Sequence, residues 1–276
     1  MRNLSEANLT EAATARLARC EDPRFKEIMT SLIRHLHAFV REVELTEAEW
    51  FEGIEFLTAT GQKCDGDRQE FILLSDVLGV SMLVDAINHR ASDGATESTV
   101  LGPFYIDGAP ELPEGADISH GSPGEATEVS GRVTSVEGKP IAGAVLDVWQ
   151  TAANGFYSTQ DPNQDRFNLR GRFRTDAEGR YRFRTIKPVS YPVPTDGPVG
   201  RILNAMGRHP HRPAHIHFIV SAPGYERVAT HVFANGDPYL DSDVVFGVKN
   251  SLVADFTPKR GGSTLEVRYD FGLKPS

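Results

Sequence analysis

Proline divides this chain in two. Of its seventeen prolines, Pro23 stands alone near the N-terminus, none lies between it and Pro103, and sixteen follow from Pro103 onward. Proline lacks a backbone donor and clashes with the preceding turn of a helix, so long helices are confined to the first stretch. The remainder must be assembled from short extended runs separated by turns.

The first stretch has the helical rhythm. Phe25, Ile28, Leu32, Leu36, Phe39 and Val43 recur every three or four residues, which predicts an amphipathic helix. Thr46 and Glu49 have capping-box spacing, with Trp50, Ile54 and Leu57 on one face of the helix that follows. Asp67 and Glu70 predict a further start ahead of Phe71, Leu74, Leu78 and Met82, and the helices end in the linker-like ASDGATEST. The second stretch has the rhythm of strands. GRVTSV and AVLDVWQ flank an EGKPIAG turn, and Tyr181 and Phe183 alternate with Arg182 and Arg184. Short strands with Gly/Pro punctuation predict an antiparallel β-sandwich.

Composition narrows the function. The net charge of −9 disfavours a nucleic-acid partner, which would favour a basic surface. Cys20 and Cys64 stand far apart with no CxxC, so two reduced thiols are expected rather than a disulfide framework or a thiolate zinc site. The first twenty residues lack the apolar core of a signal peptide, and no run of eighteen apolar residues exists. A soluble, cytoplasmic protein that does not enter the membrane is expected.

The chemistry concentrates at RPAHIHF, residues 212–218. In a strand, residues two apart share a face, so His215 and His217 can lean towards one ion while Ile216, Phe218 and Val220 face the core. No HExxH is present, and the two-histidine, one-carboxylate pattern of Fe(II) oxygenases does not fit because the second position is His217. Two tyrosines lie in unusual settings: Tyr157 in the turn after the run ending at Trp149, and Tyr191 in KPVSYPVP, stiffened by prolines. Phenolate is a hard anionic donor, so two phenolates and two imidazoles suit Fe(III) better than borderline Zn(II). Arg212 is placed to stabilise negative charge beside such an ion. Each residue also has a structural reading: packed phenols, hydrogen-bonded imidazoles, an ion-paired arginine.

The runs DVWQTAANGFYS, VSYPVPTDGPVG and RPAHIHF, preceded by ESTVLGPFY, resemble the signature of the intradiol ring-cleavage dioxygenases, in that family's order and over nearly the whole chain. The resemblance implies a mainly β protein with an N-terminal all-helical dimerisation domain, residues 1–105, and a β-sandwich catalytic domain, residues 106–276. It implies one non-haem Fe(III) per subunit, held by Tyr157, Tyr191, His215 and His217. Tyr191 is implied as the ligand that leaves on substrate binding, and Arg212 as the residue that stabilises charge on the ring. A catecholic diol or triol is opened between its hydroxylated carbons, and both atoms of O2 enter the product. The helices are implied to form a homodimer interface that often holds a phospholipid. FILLSDVLGV, with Leu73 and Asp76, and ATHVFANGDPYLDSDVVFGVK, with His231 where catechol-cleaving members usually carry glutamine, resemble the hydroxyquinol-cleaving branch. That branch yields 3-hydroxy-cis,cis-muconate, the tautomer of maleylacetate. Val100, Leu101, Gly102, Pro103, Phe104, Val193 and Pro194, together with Arg212, match pocket positions. Three alternatives stand beside this reading: a catechol or chlorocatechol 1,2-dioxygenase, a zinc hydrolase using the same histidines, and a non-catalytic sandwich that binds a partner.

Overall fold

The change of rhythm at the first proline cluster is a change of architecture. The computed structural model describes residues 2–66, 68–90 and 93–276; the expected cap Asp67 and the first two residues of the linker-like stretch, Ala91 and Ser92, lie outside the described residues. The chain packs as two units, residues 1–59 and 60–276.

The first unit holds α1 (Leu9–Ala15), α2 (Pro23–Glu42) and most of α3 (Glu47–Gln62). Helix α2 begins behind Asp22, whose Oδ1 accepts the amides of Arg24 at 2.8 Å and Phe25 at 3.1 Å. This fills two orphan donors of the first turn, and Pro23 occupies a position where its missing N–H costs nothing. The capping box ahead of α3 is formed: the Thr46 amide donates to Glu49 Oε2 at 2.9 Å, and the Glu49 amide to Thr46 Oγ1 at 3.3 Å. The expected apolar stripe of α2 is present but not buried within the chain. Phe25, Leu36 and Phe39 are all more than half exposed.

The second unit opens with α4 (Glu70–Val77) and α5 (Val80–Asn88). The apolar period running through Leu78 to Met82 suggests one helix, but Gly79 sits at φ +76° and breaks it in two. A left-handed residue ends a helix, and glycine adopts that conformation without a Cβ penalty.

Two five-stranded sheets follow. One runs β3 (Arg170–Arg174), β2 (Val145–Trp149), β7 (His215–Ser221), β8 (Val228–Ala234), β9 (Val253–Ala254). The other centres on β1 (Ala126–Ser135), flanked on one edge by β4 (Arg180–Ile186) and on the other by β11 (Leu265–Arg268) and then β12 (Phe271–Leu273), with β10 (Thr257–Pro258) outside β11. A two-residue ladder pairs β5 (Tyr191–Pro192) with β6 (His211–Arg212), and α6 (Pro198–Ala205) lies between them in sequence. The sheets enclose one core, to which Leu146, Val148, Ile216 and Phe218 contribute from the first and Val129 and Phe183 from the second.

The sandwich is mixed rather than purely antiparallel. Strands β11 and β12 both run parallel to β1, and β9 runs parallel to β8. Antiparallel order follows when neighbours are joined by short hairpins. Here β1 meets strands from the far end of the chain, so no hairpin sets their direction.

Glycine is required where β1 changes partner. A Cβ at Gly131 would lie 1.7 Å from the Tyr269 carbonyl oxygen, which also accepts the Tyr181 hydroxyl at 2.7 Å. Gly131→Ala is therefore expected to destabilise the protein by about 1–3 kcal/mol or more through overpacking. Denaturant unfolding with an unchanged slope and a lowered midpoint checks it.

Candidate active site

Strand β7 is buried on both faces. Ile216, Phe218 and Val220 enter the sandwich core, as the alternation predicts, and His215 and His217 occupy the opposite face. A single cross-strand row fixes His217: it pairs with Trp149 on β2 and with His231 on β8. The Trp149 indole stacks on its ring at 4.5 Å and 13°. The loop leaving β2 then returns Tyr157 towards the same row. Tyr191 is not in the free proline-stiffened loop its neighbours suggest but in β5, directly opposite Arg212 in β6.

Four donor atoms meet. Tyr157 Oη lies 2.7 Å from His217 Nε2 and 3.0 Å from Tyr191 Oη, and the two histidine Nε2 atoms are 3.0 Å apart. All four residues are almost wholly buried. His215 Nδ1 sits 2.7 Å from the Pro213 carbonyl, which only accepts, so Nδ1 carries the proton and Nε2 presents a lone pair inward. Burial holds His215 and His217 far below the ordinary imidazole range, aided by the Arg212 charge at His215 and by His231 and His215 at His217. Both are thus neutral. Burial also pushes both phenols up, reinforced at Tyr157 by Tyr191 and opposed at Tyr191 by Arg212. The pocket alone does not ionise them.

This donor set fits a metal ion. The donor atoms follow one another at 3.0, 2.7 and 3.0 Å along Tyr191, Tyr157, His217 and His215, close enough to serve one ion. The His215 Nε2 lone pair, fixed by the proton on Nδ1, faces His217 Nε2 at 3.0 Å, so both ring nitrogens are turned to the same point. His231 lies close enough to join His215 and His217 in one group of imidazoles. Its Nδ1, however, is engaged by Thr99 Oγ1 at 3.0 Å and by Arg212 Nη2 at 3.4 Å.

Arg212 is 3% exposed and is not a solvated strand end. Its Nε and Nη2 donate to the two Asp243 oxygens at 3.2 Å each, and Nη1 donates to His215 Nε2 at 3.3 Å. Burial works against its charge, but Asp243 and Tyr191 outweigh it, so the guanidinium stays protonated.

Of the expected pocket residues, Leu73 and Val193 form one apolar cluster with Val77, Val199, Val244 and Val245, and Val100 packs against it. Asp76 is buried; burial raises its carboxyl above the usual range, opposed by a Ser81 hydrogen bond and the Arg212 charge. Phe104 stacks on Tyr157 at 4.6 Å. Together with Pro103 it lines a cavity of about 650 Å³ that also touches Ser158 and Gln160. Gly102, at φ +77°, lies against His217: a Cβ there would be 3.4 Å from its Cε1. Leu101 is 39% exposed, and Pro194 follows Val193, a member of that apolar cluster. Sequence reasoning missed Asp243, Thr99 and the stacking role of Trp149. None stands in a motif spacing with the histidines, and Asp243 lies 31 residues beyond Arg212.

Comparison with known proteins agrees with this geometry. Residues 22–96 match the catechol dioxygenase N-terminus family, and residues 100–275 match the dioxygenase family. The chain is 54% identical to the 6-chlorohydroxyquinol 1,2-dioxygenase of Cupriavidus pinatubonensis, over the full length of both. It is 56% identical to the hydroxyquinol 1,2-dioxygenase of a Rhizobium strain, over 91% of this chain and 85% of that one. The crystal structure of hydroxyquinol 1,2-dioxygenase from Pseudomonas putida DLL-E4 superposes with a TM-score of 0.94 at 55% identity, covering 98% of this chain and 99% of that one. Dependence on non-haem iron is general among such enzymes, and the converging imidazoles are in keeping with it. On both its sequence and its site, the chain belongs to the intradiol ring-cleavage dioxygenases.

Proposed function

We propose that the protein binds one Fe(III) per subunit through Tyr157, Tyr191, His215 and His217 and opens hydroxyquinol between its adjacent hydroxylated carbons, giving 3-hydroxy-cis,cis-muconate. The observation that carries this reading is the meeting of two phenols and two neutral imidazoles over edges of 2.7–3.0 Å, beside the buried Arg212. Two oxygen anions would offset two of the three charges of ferric iron, a balance that a zinc site with neutral ligands does not need. The names of the relatives reported above support hydroxyquinol as the substrate.

When bound, ferric iron supplies the Lewis acidity and electron-accepting capacity that open a catecholic ring to dioxygen. The protein supplies the rest. His215 and His217 hold their lone pairs inward on a strand that cannot rotate, because its other face is core. Tyr191 is a phenol that burial favours in its protonated form. Its Oη, which would be one of the oxygens holding the iron, is therefore suited to hold a proton taken from a substrate hydroxyl. Arg212 Nη1, beside His215 and opposite Tyr191, stabilises negative charge as it develops on the ring oxygens. Leu73, Val100, Val193 and Phe104 shape an apolar slot for a flat ring and exclude water. Leu101, Gly102, Pro103 and Pro194 complete its wall, and His231 faces the substrate from β8. Asp76 accepts a hydrogen bond from the third hydroxyl. A ring without that hydroxyl forfeits this hydrogen bond, at about 1–3 kcal/mol.

The assignment of residues 1–105 to dimerisation and 106–276 to catalysis belongs to the same reading, and the two family matches meet near that boundary. The exposed stripe of Phe25, Leu32, Leu36 and Phe39 supports a homodimer through the helices, and a phospholipid bound there belongs to the same reading. Among the described residues no helix is long and apolar enough to cross a membrane. Free, half-buried Cys20 and Cys64 fit a reducing cytoplasm.

Protein expressed with ample iron is expected to be wine-red from tyrosinate-to-iron charge transfer and to consume one O2 per ring opened. His217→Ala is expected to lose iron by elemental analysis and activity by more than ~100-fold, since even outer-shell partners of a metal cost 10–100-fold. A colourless, iron-free native protein overturns the reading.

Asp76→Ala is expected to shift the ratio of kcat/KM for hydroxyquinol over catechol towards catechol by about tenfold. Native protein that prefers catechol removes the substrate assignment while leaving the reaction class.

The raised Asp76 carboxyl also has a pH signature. The folded state holds its proton more tightly than the unfolded chain does, so its contribution is most favourable below the unfolded pKa and is lost as pH rises through the folded one. Asp76→Asn is therefore expected to be more stable than the native protein at pH 7, with the gap closing towards pH 3. Denaturant melts at the two pH values check it.

A further inference from the structure

The reactive face of Arg212 is set by what lies behind it. Asp243 takes the Nε and Nη2 edge of the guanidinium at 3.2 Å on each side, which leaves Nη1 as the donor facing His215 Nε2 at 3.3 Å. Asp243 is itself fixed: its oxygens accept the amides of Val245 at 3.3 Å and Gly247 at 2.9 Å, and it is 5% exposed. The turn closes so tightly on the pair that a Cβ at Gly247 would lie 3.0 Å from Arg212 Nη2 and 3.1 Å from Asp243 Oδ2. Between them Phe246 is held at φ +60°, a conformation that residues with a side chain rarely adopt, and Arg208 lies over its ring at 4.8 Å. Arg208 also donates to the Val244 carbonyl at 2.8 Å and to the Val77 carbonyl, which ties the turn to the helix that carries Asp76. Strained backbone at a functional site persists only where its surroundings over-determine it.

We propose that Asp243 is a positioning residue for ring cleavage: with Gly247 it forms a cradle that aims Arg212 Nη1 at the oxygens of the reacting ring. This rests on the ring-cleavage reading above. A buried arginine has several rotatable bonds and no intrinsic reason to present one nitrogen to the site. The two-point carboxylate contact removes that freedom. Asparagine at 243 keeps the shape but turns an N–H₂ towards a guanidinium or a backbone N–H, so one of the two anchoring contacts is lost.

The test uses the iron-loaded full chain. Asp243→Asn is expected to keep its iron content and its visible charge-transfer band while kcat on hydroxyquinol falls about tenfold to a hundredfold, the loss of one charge-assisted hydrogen bond. Because Asp243 acts through Arg212, the Arg212→Ala, Asp243→Asn double variant is expected to match Arg212→Ala alone within about threefold. Gly247→Ala leaves both charges in place and displaces the guanidinium, so it is expected to lower kcat with the band unchanged. It also serves if Asp243→Asn fails to fold. Native kcat in Asp243→Asn or Gly247→Ala overturns the proposal, as does a double variant slowed by the product of the single effects. An active, coloured native protein with unaffected variants removes only the role of Asp243. A native protein without iron or ring-opening activity removes the functional reading, and this role with it.

Discussion

Strand β7 carries Ile216, Phe218 and Val220 into the sandwich core and His215 and His217 into the site, and neither face can move without the other. Rotating the strand to relax the imidazoles would lift three apolar side chains from the core, each worth roughly 1.5–3 kcal/mol of burial. A one-residue slip in register would exchange the two faces entirely. The histidines are therefore pre-organised by the hydrophobic effect acting on their neighbours. The row Trp149, His217, His231 extends that rigidity across three strands.

Burial sets the chemistry as well as the geometry. It keeps His215 and His217 neutral, so their lone pairs are available, and it favours protonated phenols at Tyr157 and Tyr191 until a cation competes for them. The same low-dielectric setting makes the Arg212 charge costly, which explains why Asp243 lies within hydrogen-bond reach. The buried Arg212–Asp243 pair thus sits beside imidazoles and phenols that burial favours in their neutral forms.

Legibility in the sequence followed the range of the interaction. Local signals held: the capping box at Thr46 and Glu49, the α2 stripe, the two-residue alternation in HIHFIV. The run from Phe71 to Met82 misled, because periodicity does not register that Gly79 adopts a left-handed conformation. The parallel pairing of β11 and β12 with β1 was illegible, since it joins segments more than 130 residues apart with no hairpin to mark it. The histidine pair stood out by its spacing and the two tyrosines by their local settings, so all four were candidates from the residues alone. Asp243 and Thr99 could not, because they matter only through side chains that folding brings to them.

By itself the sequence determined which segments could be helix or strand, and that one strand would carry two histidines on a single face. It also determined that hard oxygen and imidazole donors were available. These follow from backbone sterics and side-chain periodicity, which act within a few residues. The tertiary structure decided that Tyr157, Tyr191, His215 and His217 are brought into contact, and that Asp76 is buried within reach of the Arg212 charge. It also decided which edge of Arg212 faces the site. Those outcomes depend on loop closure and on packing between sheets, where the favourable energy comes from burying surfaces that are distant along the chain.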